Sequence, residues 1–300
     1  MNIWNSELKR YLLQKMDIRK LAYWALGDRY TRLARKSRDL RTLFYSVSHP
    51  YHYEPGRYEG TFLERQCELS FEKKQPKRVE KVIYVFWTGE NEITPNRLAG
   101  IRSLQNVSQV RVQLITPENL QDYIVKDDPL PEAYKYLSLI HRSDFLRGYF
   151  MYYYGGGYAD IKTYYRSWIP AFNKLEASDE AYAVGYPEVG FEGAANQGIT
   201  HKNLKEDLYH HWHHLIGNGA FICRPHTQFT AEWYSEAKRR LVTQAEVLKL
   251  HPAQDIFGTN GDYPLPWASI QGEIFHPLCL KYHDRLLKDK ALMPSFENYR

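Results

Sequence analysis

The chain has only three cysteines in 300 residues, Cys67, Cys223 and Cys279. They are widely spaced and odd in number, so they supply neither a disulfide framework nor the paired spacing of a zinc cluster, and they imply a reducing compartment. Long apolar runs are missing too. Near the front, Leu12, Leu13 and Met16 are interrupted by Lys9, Arg10, Lys15 and Asp17, and no stretch reaches the roughly 18 consecutive apolar residues of a spanning helix. The expectation is a chain with neither a signal peptide nor a transmembrane segment. There is no internal repeat and no low-complexity tract apart from YHHWHH at 209–214. With 43% hydrophobic and 25% charged residues, disordered and fibrous classes are excluded, and the length suits one large domain or two small ones.

Aromatic residues are plentiful: 25 Tyr and 7 Trp stand against 13 Phe. Tyr and Trp pack apolar faces while keeping a polar edge, which suits stacking on sugars or bases as well as core filling. Charge is unevenly spread. Residues 1–50 carry 11 Lys and Arg against 4 Asp and Glu, whereas residues 51–300 carry 29 against 31. Within the basic front, Trp4, Leu8, Tyr11, Leu12, Leu21, Tyr23 and Trp24 recur at rough helical spacing. That pattern fits an amphipathic helix on an anionic bilayer, or a solvated helix packed on the body of the protein. The rest of the chain has no basic stripe, so no nucleic-acid partner is expected.

Periodicity and breakers divide the chain at about residue 78. Residues 1–78 read as a helical, basic region, and residues 79–300 as the main domain. There, residues 82–87 (VIYVFW) form a buried strand, 95–105 a helix and 110–115 a second strand, an order that implies a parallel sheet. A helix through 141–154 is stopped by Gly155, Gly156 and Gly157, because glycine accepts positive φ at a helix end and permits close backbone approach to a ligand. A short strand follows at 157–161. Further strands are expected at 181–185 and 220–223, with helices at 229–250 and 273–287.

Four features in order carry the chemistry: Trp87 at a strand end, Ser143-Asp144 with Arg147 on a helix, GGGYADIK at 155–162, and GNGAFICRPHTQF at 217–229. Each alone also suits ordinary structure, as a core Trp, a surface ion pair or a turn. Together, over residues 80–285, they resemble the bacterial and fungal glycosyltransferases with a DXD sugar-binding region, which include capsular polysaccharide and lipopolysaccharide transferases and, more distantly, the clostridial glucosylating toxins. The resemblance implies an α/β fold of GT-A type, a Rossmann-like sheet holding a nucleotide sugar at the carboxyl ends of its strands. It also implies donor contacts from Trp87 on the base, Tyr158 at the ribose, Asp160 as the first acid of the DXD motif, and Asn218 on the donor sugar. Gly156 and Gly157 would lie against the donor, and His276 would reach the diphosphate. Asp144 and Arg147, at i and i+3, share a helix face and can form a fixed polar pair aimed at the donor.

Lys162 stands where the second acid of the motif would hold a divalent cation. A protonated lysine cannot bind a metal, so its ammonium is expected to replace the cation beside the departing diphosphate. The alternatives are Mn²⁺ or Mg²⁺ held by Asp160 with Glu273 or His276, and a degenerate, non-catalytic homologue. Asp160 and Lys162 are thus the catalytic candidates. Asp255 and Glu273 join them, as acids placed to orient an acceptor hydroxyl in a stretch expected to close over the site. His210, His211, His213 and His214 lack a further ligand at metal spacing. The expected function is retaining transfer of a hexose from a nucleotide sugar, UDP-sugar favoured, to a capsule, O-antigen or lipooligosaccharide acceptor, glycan or lipid-linked. The expected location is cytoplasmic, peripheral on the inner membrane through residues 1–50. The rival function is a catalytically inactive glycan-binding or scaffold protein of a polysaccharide biosynthesis complex.

Overall fold

The computed structural model describes residues 28–72, 74 and 76–297. Two compact units divide between Pro50 and Tyr51. The described part of the first is a single helix, α1 (Asp28–Ser48), and the aromatic positions Trp4 to Trp24 lie outside the described residues. On α1, Leu33, Leu40, Phe44 and Val47 are 55–79% exposed. Their spacing of i, i+7, i+11 and i+14 places them on one face.

The second unit begins at Tyr51, well before the division read at residue 78. Tyr51, Tyr58 and Leu63 are buried, and Arg57 pairs with Asp207 through bonds of 2.8 and 2.9 Å. Arg57 and Tyr58 thus bind Asp207, some 150 positions away, which composition cannot reveal.

The sheet contains β1 (Val82–Phe86), β2 (Arg111–Ile115), β3 (Gly156–Ala159), β4 (Ala183–Pro187), β5 (Ile216–Cys223) and β6 (Leu286–Lys288), in the order β2-β1-β3-β5-β4-β6. β1 is parallel to β2 and β3, and β4 is parallel to β6. β5 runs antiparallel to both its neighbours, so the sheet is mixed and not wholly parallel. The helices of this unit are α2 (Pro95–Ser108), α3 (Leu139–Tyr153), α4 (Ile169–Glu176), α5 (Lys202–His210), α6 (Gln228–Thr243), α7 (Ala245–Leu250) and α8 (Gly272–Lys281). The single helix expected over 229–250 is broken at Gln244 into α6 and α7, and the one expected over 273–287 ends at Lys281, with β6 beyond it.

Alternation along β1 builds the layers. Ile83 and Val85 join Ile101 and Leu104 of α2 and Phe172 and Leu175 of α4 in one core. Tyr84 and Phe86 face the other way and meet Phe150 of α3 edge-on, each at 5.0 Å. That second layer continues through Tyr158, Phe221, Trp233 and Phe275. Helices therefore cover both faces of the sheet. Arg224, just past β5, is fully buried and donates to the carbonyls of Leu175, Ser178 and Ala181 at 2.6–3.0 Å, closing the carboxyl end of α4.

The glycine run ends α3 as its composition suggests. Gly155 has φ +61°, and a Cβ there would lie 2.5 Å from Pro225, so only glycine suits the turn. Gly156 and Gly157 do not line a donor site. Both are buried at the start of β3, where a side chain on Gly156 would meet Val82 and one on Gly157 would meet Trp168 and Ile83. Close strand and helix packing demands them.

Candidate active site

Ser138 starts α3. Its hydroxyl accepts from the His141 N–H at 3.2 Å, a side-chain cap, and the helix then carries Asp144 and Arg147 on one face toward the end of β3. Arg147 lies 3.2 Å from Asp144 and 3.3 Å from Asp160, and donates to the Asn218 carbonyl at 3.1 Å. Its guanidinium sits 4.5 Å over the Tyr158 ring, and its buried Nε has no partner. Asp160, just past β3, accepts from the Tyr158 hydroxyl at 2.7 Å on Oδ1 and from Lys162 at 2.9 Å on Oδ2. Two acids and two cations thus meet at the carboxyl end of β3, joined there to β5 through the Asn218 carbonyl.

Burial sorts the two acids differently. Asp144 is the more enclosed, and burial raises its pKa further than Arg147 lowers it. Burial also pushes Asp160 up, but Arg147, Lys162 and the Tyr158 hydroxyl outweigh it and hold the carboxyl below its ordinary value. Asp160 is therefore a firmly ionised acceptor with 22% of its side chain exposed, against 7% for Asp144. Lys162 is 11% exposed, and its ammonium lies 4.9 Å from the Phe296 ring.

Trp87 follows β1 directly. Its ring packs against the edge of the core, and its indole N–H donates to the Asn91 carbonyl at 2.7 Å, which fixes the ring while leaving it partly exposed. Asn218 is half-buried on β5, with its amide 3.8 Å from where a side chain on Gly272 would begin.

The other expected residues stand elsewhere. Asp255 is on an exposed turn, where its carboxylate accepts from the N–H groups of Phe257 and Thr259; it organises the loop and does not reach into the cluster. His276 lies within α8, fully buried, with Nδ1 accepting from the Ala195 N–H at 2.8 Å and its pKa pushed down by burial to about 4. Enclosed and neutral, it has no path to a diphosphate. Glu273 is buried under Gly198, which has no room for a side chain above it, and lies 3.8 Å from Arg240.

Three further residues touch the Asp160 segment. The Tyr164 hydroxyl donates to the Asp160 carbonyl at 3.1 Å. The Gly219 carbonyl accepts the Asp160 N–H at 2.7 Å, and a Cβ on Gly219 would come within 2.9 Å of the carboxylate. Phe296 covers Lys162, its segment held by the Ser295 N–H on the Thr163 carbonyl at 2.8 Å. The GNG motif signals Gly219. Among so many aromatics, nothing local marks Tyr164 or Phe296.

Residues 57–182 match a family of capsular polysaccharide synthesis proteins. The match spans Trp87, Asp144, Arg147, Tyr158, Asp160 and Lys162, and supports a capsule-synthesis-related family. No curated protein matches the chain. The matched span ends before β4, so Asn218 and α8 lie beyond it. No described helix is long and apolar enough to cross a membrane.

Proposed function

We propose that the chain is a GT-A type glycosyltransferase of capsule or related surface-glycan synthesis, moving a hexose from a nucleotide sugar, UDP-sugar favoured, to a glycan or lipid-linked glycan. The observation that carries this reading is the ionised Asp160, held between Arg147 and Lys162 at the carboxyl end of β3. Open α/β sheets bind their ligands at that edge. The partly exposed Trp87 ring supplies a stacking surface for the base, and Asp160 an acceptor for ribose or sugar hydroxyls.

On this reading no divalent cation is needed. Lys162, 2.9 Å from Asp160, stands where a second acidic ligand would be required to hold one. Among the described residues, no three of His, Cys, Asp and Glu are arranged to hold a metal. The Lys162 ammonium and the Arg147 guanidinium supply the positive charge instead, as fixed groups in a site largely closed to water. In the retaining reaction, the bond from the anomeric carbon to the phosphate oxygen breaks. The acceptor oxygen bonds the same carbon from the same face, and its proton leaves on the departing phosphate. Arg147 and Lys162 stabilise the charge that develops on that phosphate.

The exposed apolar face of α1, flanked by Lys36 and Arg41, supports peripheral attachment to the inner membrane from the cytosol. The reading is tested by nucleotide release from UDP-, GDP-, ADP- and CMP-sugars, each in EDTA and in Mn²⁺. One nucleotide class should turn over equally well in both. Release abolished by EDTA and restored by Mn²⁺ would overturn the lysine-for-metal reading, and no release with any donor would favour the inactive glycan-binding protein.

A further inference from the structure

Residues 251–271 join α7 to α8 and carry an exposed aromatic pair. Phe257 and Trp267 stack with centroids 6.3 Å apart and planes 26° apart, and they are 44% and 58% exposed. Stacked together they form a contiguous exposed apolar patch, which is more informative than a single exposed ring. The loop that presents them is internally braced. Asp255 accepts from the Phe257 N–H at 2.7 Å. Asn260 accepts from the Gln254 N–H at 3.1 Å and donates to the Pro252 carbonyl and to Asp262 at 3.2 and 2.8 Å.

The loop is also fastened to the first turn of α3. The Ile140 N–H donates to the Ile256 carbonyl at 3.3 Å. Tyr263 is hydrogen-bonded to His141 Nδ1 at 2.9 Å, and His141 Nε2 lies 3.3 Å from the carbonyls of both Pro266 and Trp267. His141 is three residues before Asp144 and so one helical turn from it. Phe257 follows Ile256 directly, so both rings are tied to the same helix start that carries the Asp144 and Arg147 pair.

The chemistry of the loop selects its partner. Between His251 and Gln271 there are two acids, Asp255 and Asp262, and no Lys or Arg. Anionic lipid headgroups and nucleic-acid phosphates would be repelled. An uncharged, hydroxyl-rich ring suits the surface. Its C–H face can lie on the aromatic pair, and the same loop offers Asp262, half-exposed and with lone pairs beyond its bonds to Asn260 and His251, to hydroxyls of the glycan. The geometry points to the Phe257–Trp267 pair, on a loop bonded to the first turn of α3, as a binding subsite for a pyranose ring of the acceptor glycan. This rests on the glycosyltransferase reading.

The test uses the full chain and its Phe257→Ala, Trp267→Ala and Trp267→Phe variants. Three readouts are taken: retention on an array of purified bacterial surface polysaccharides, co-sedimentation with phosphatidylglycerol vesicles, and thermal shift with the UDP-, GDP-, ADP- and CMP-sugars. Wild type should be retained on at least one polysaccharide, each Ala variant should bind it about tenfold more weakly, and Trp267→Phe should recover most of the loss. Vesicle binding and donor shifts should be the same for all four proteins. Equal glycan retention by the Ala variants, no retention by wild type, or vesicle binding lost with the rings would each overturn the proposal. Ring-dependent glycan binding without any donor shift would instead remove the transferase reading and leave a glycan-binding surface. Donor shifts without ring dependence would do the reverse.

Discussion

Asp128 and Asp160 are built alike and placed differently. Asp128 accepts from the hydroxyls of Tyr153 and Tyr234 at 2.7 and 2.6 Å and pairs with Lys238. Asp160 accepts from Tyr158 and pairs with Lys162 and Arg147. A tyrosine hydroxyl even reaches each backbone carbonyl, from Tyr149 to Asp128 and from Tyr164 to Asp160. Both carboxyls are held below their ordinary pKa against the opposing effect of burial. Yet Asp128 ties a loop to α3 and α6 with groups that all have work there, whereas Asp160 lies at a strand's carboxyl end with a second acid beside it and a guanidinium that keeps an unpartnered Nε. Hydrogen-bond pattern alone does not separate a staple from a site. Position in the sheet and unspent bonding capacity are what favour Asp160 as the proposed site.

Exchanging each acid for its amide should split the pair most sharply. Asp160→Asn should lower nucleotide release by about a hundredfold or more, since it unbalances the fixed charges around the proposed diphosphate position. Asp128→Asn should leave release within about twofold of wild type, but lower unfolding free energy by about 1–3 kcal/mol in urea titrations, because Lys238 and two tyrosines lose an ionised acceptor. Equal loss of turnover in both variants would erase the distinction.

A third cluster extends the comparison to groups without a carboxylate at their centre. His211, His214 and His283 pack around Tyr51 with ring centroids 5.2–6.3 Å from it. Burial pushes His211 down to about 4 and His214 to about 3. Between the ordinary histidine value and those values, the unfolded chain binds protons that the folded chain does not, so stability falls as pH drops. The urea midpoint should decrease from pH 7.5 to pH 5, and an unchanged or higher midpoint at pH 5 would contradict the burial of these rings. The smallest effect is expected at Asp255. Its amide keeps an oxygen for the turn, so Asp255→Asn should leave both the urea midpoint and nucleotide release unaltered.

Much of the central machinery was legible in the sequence, for local reasons. The unbroken apolar run of β1, the glycine stop after α3 and the i, i+3 spacing of Asp144 and Arg147 are short-range signals, and each is found at its expected place. The reversed direction of β5 was not legible, because a strand's residues record which face is buried but not which way the neighbouring strand runs. Nor was the break at Gln244, where neither glycine nor proline marks it. His276 and Glu273 looked available because their burial is created by Ala195 and Gly198, which approach from a distant loop. The glycines 156 and 157 suggested ligand contact, but they answer to Val82, Ile83 and Trp168, again a tertiary demand.

The most direct test of the account is calorimetric titration of UDP in EDTA into wild type, Lys162→Met and Lys238→Met. Both substitutions remove an ammonium from a tyrosine-braced aspartate, but only Lys162 stands at the proposed diphosphate position. Wild type and Lys238→Met should bind alike, with Lys162→Met at least about tenfold weaker. Equal affinity in all three, or binding by wild type only after Mn²⁺ is added, would contradict a site in which Lys162 supplies the charge.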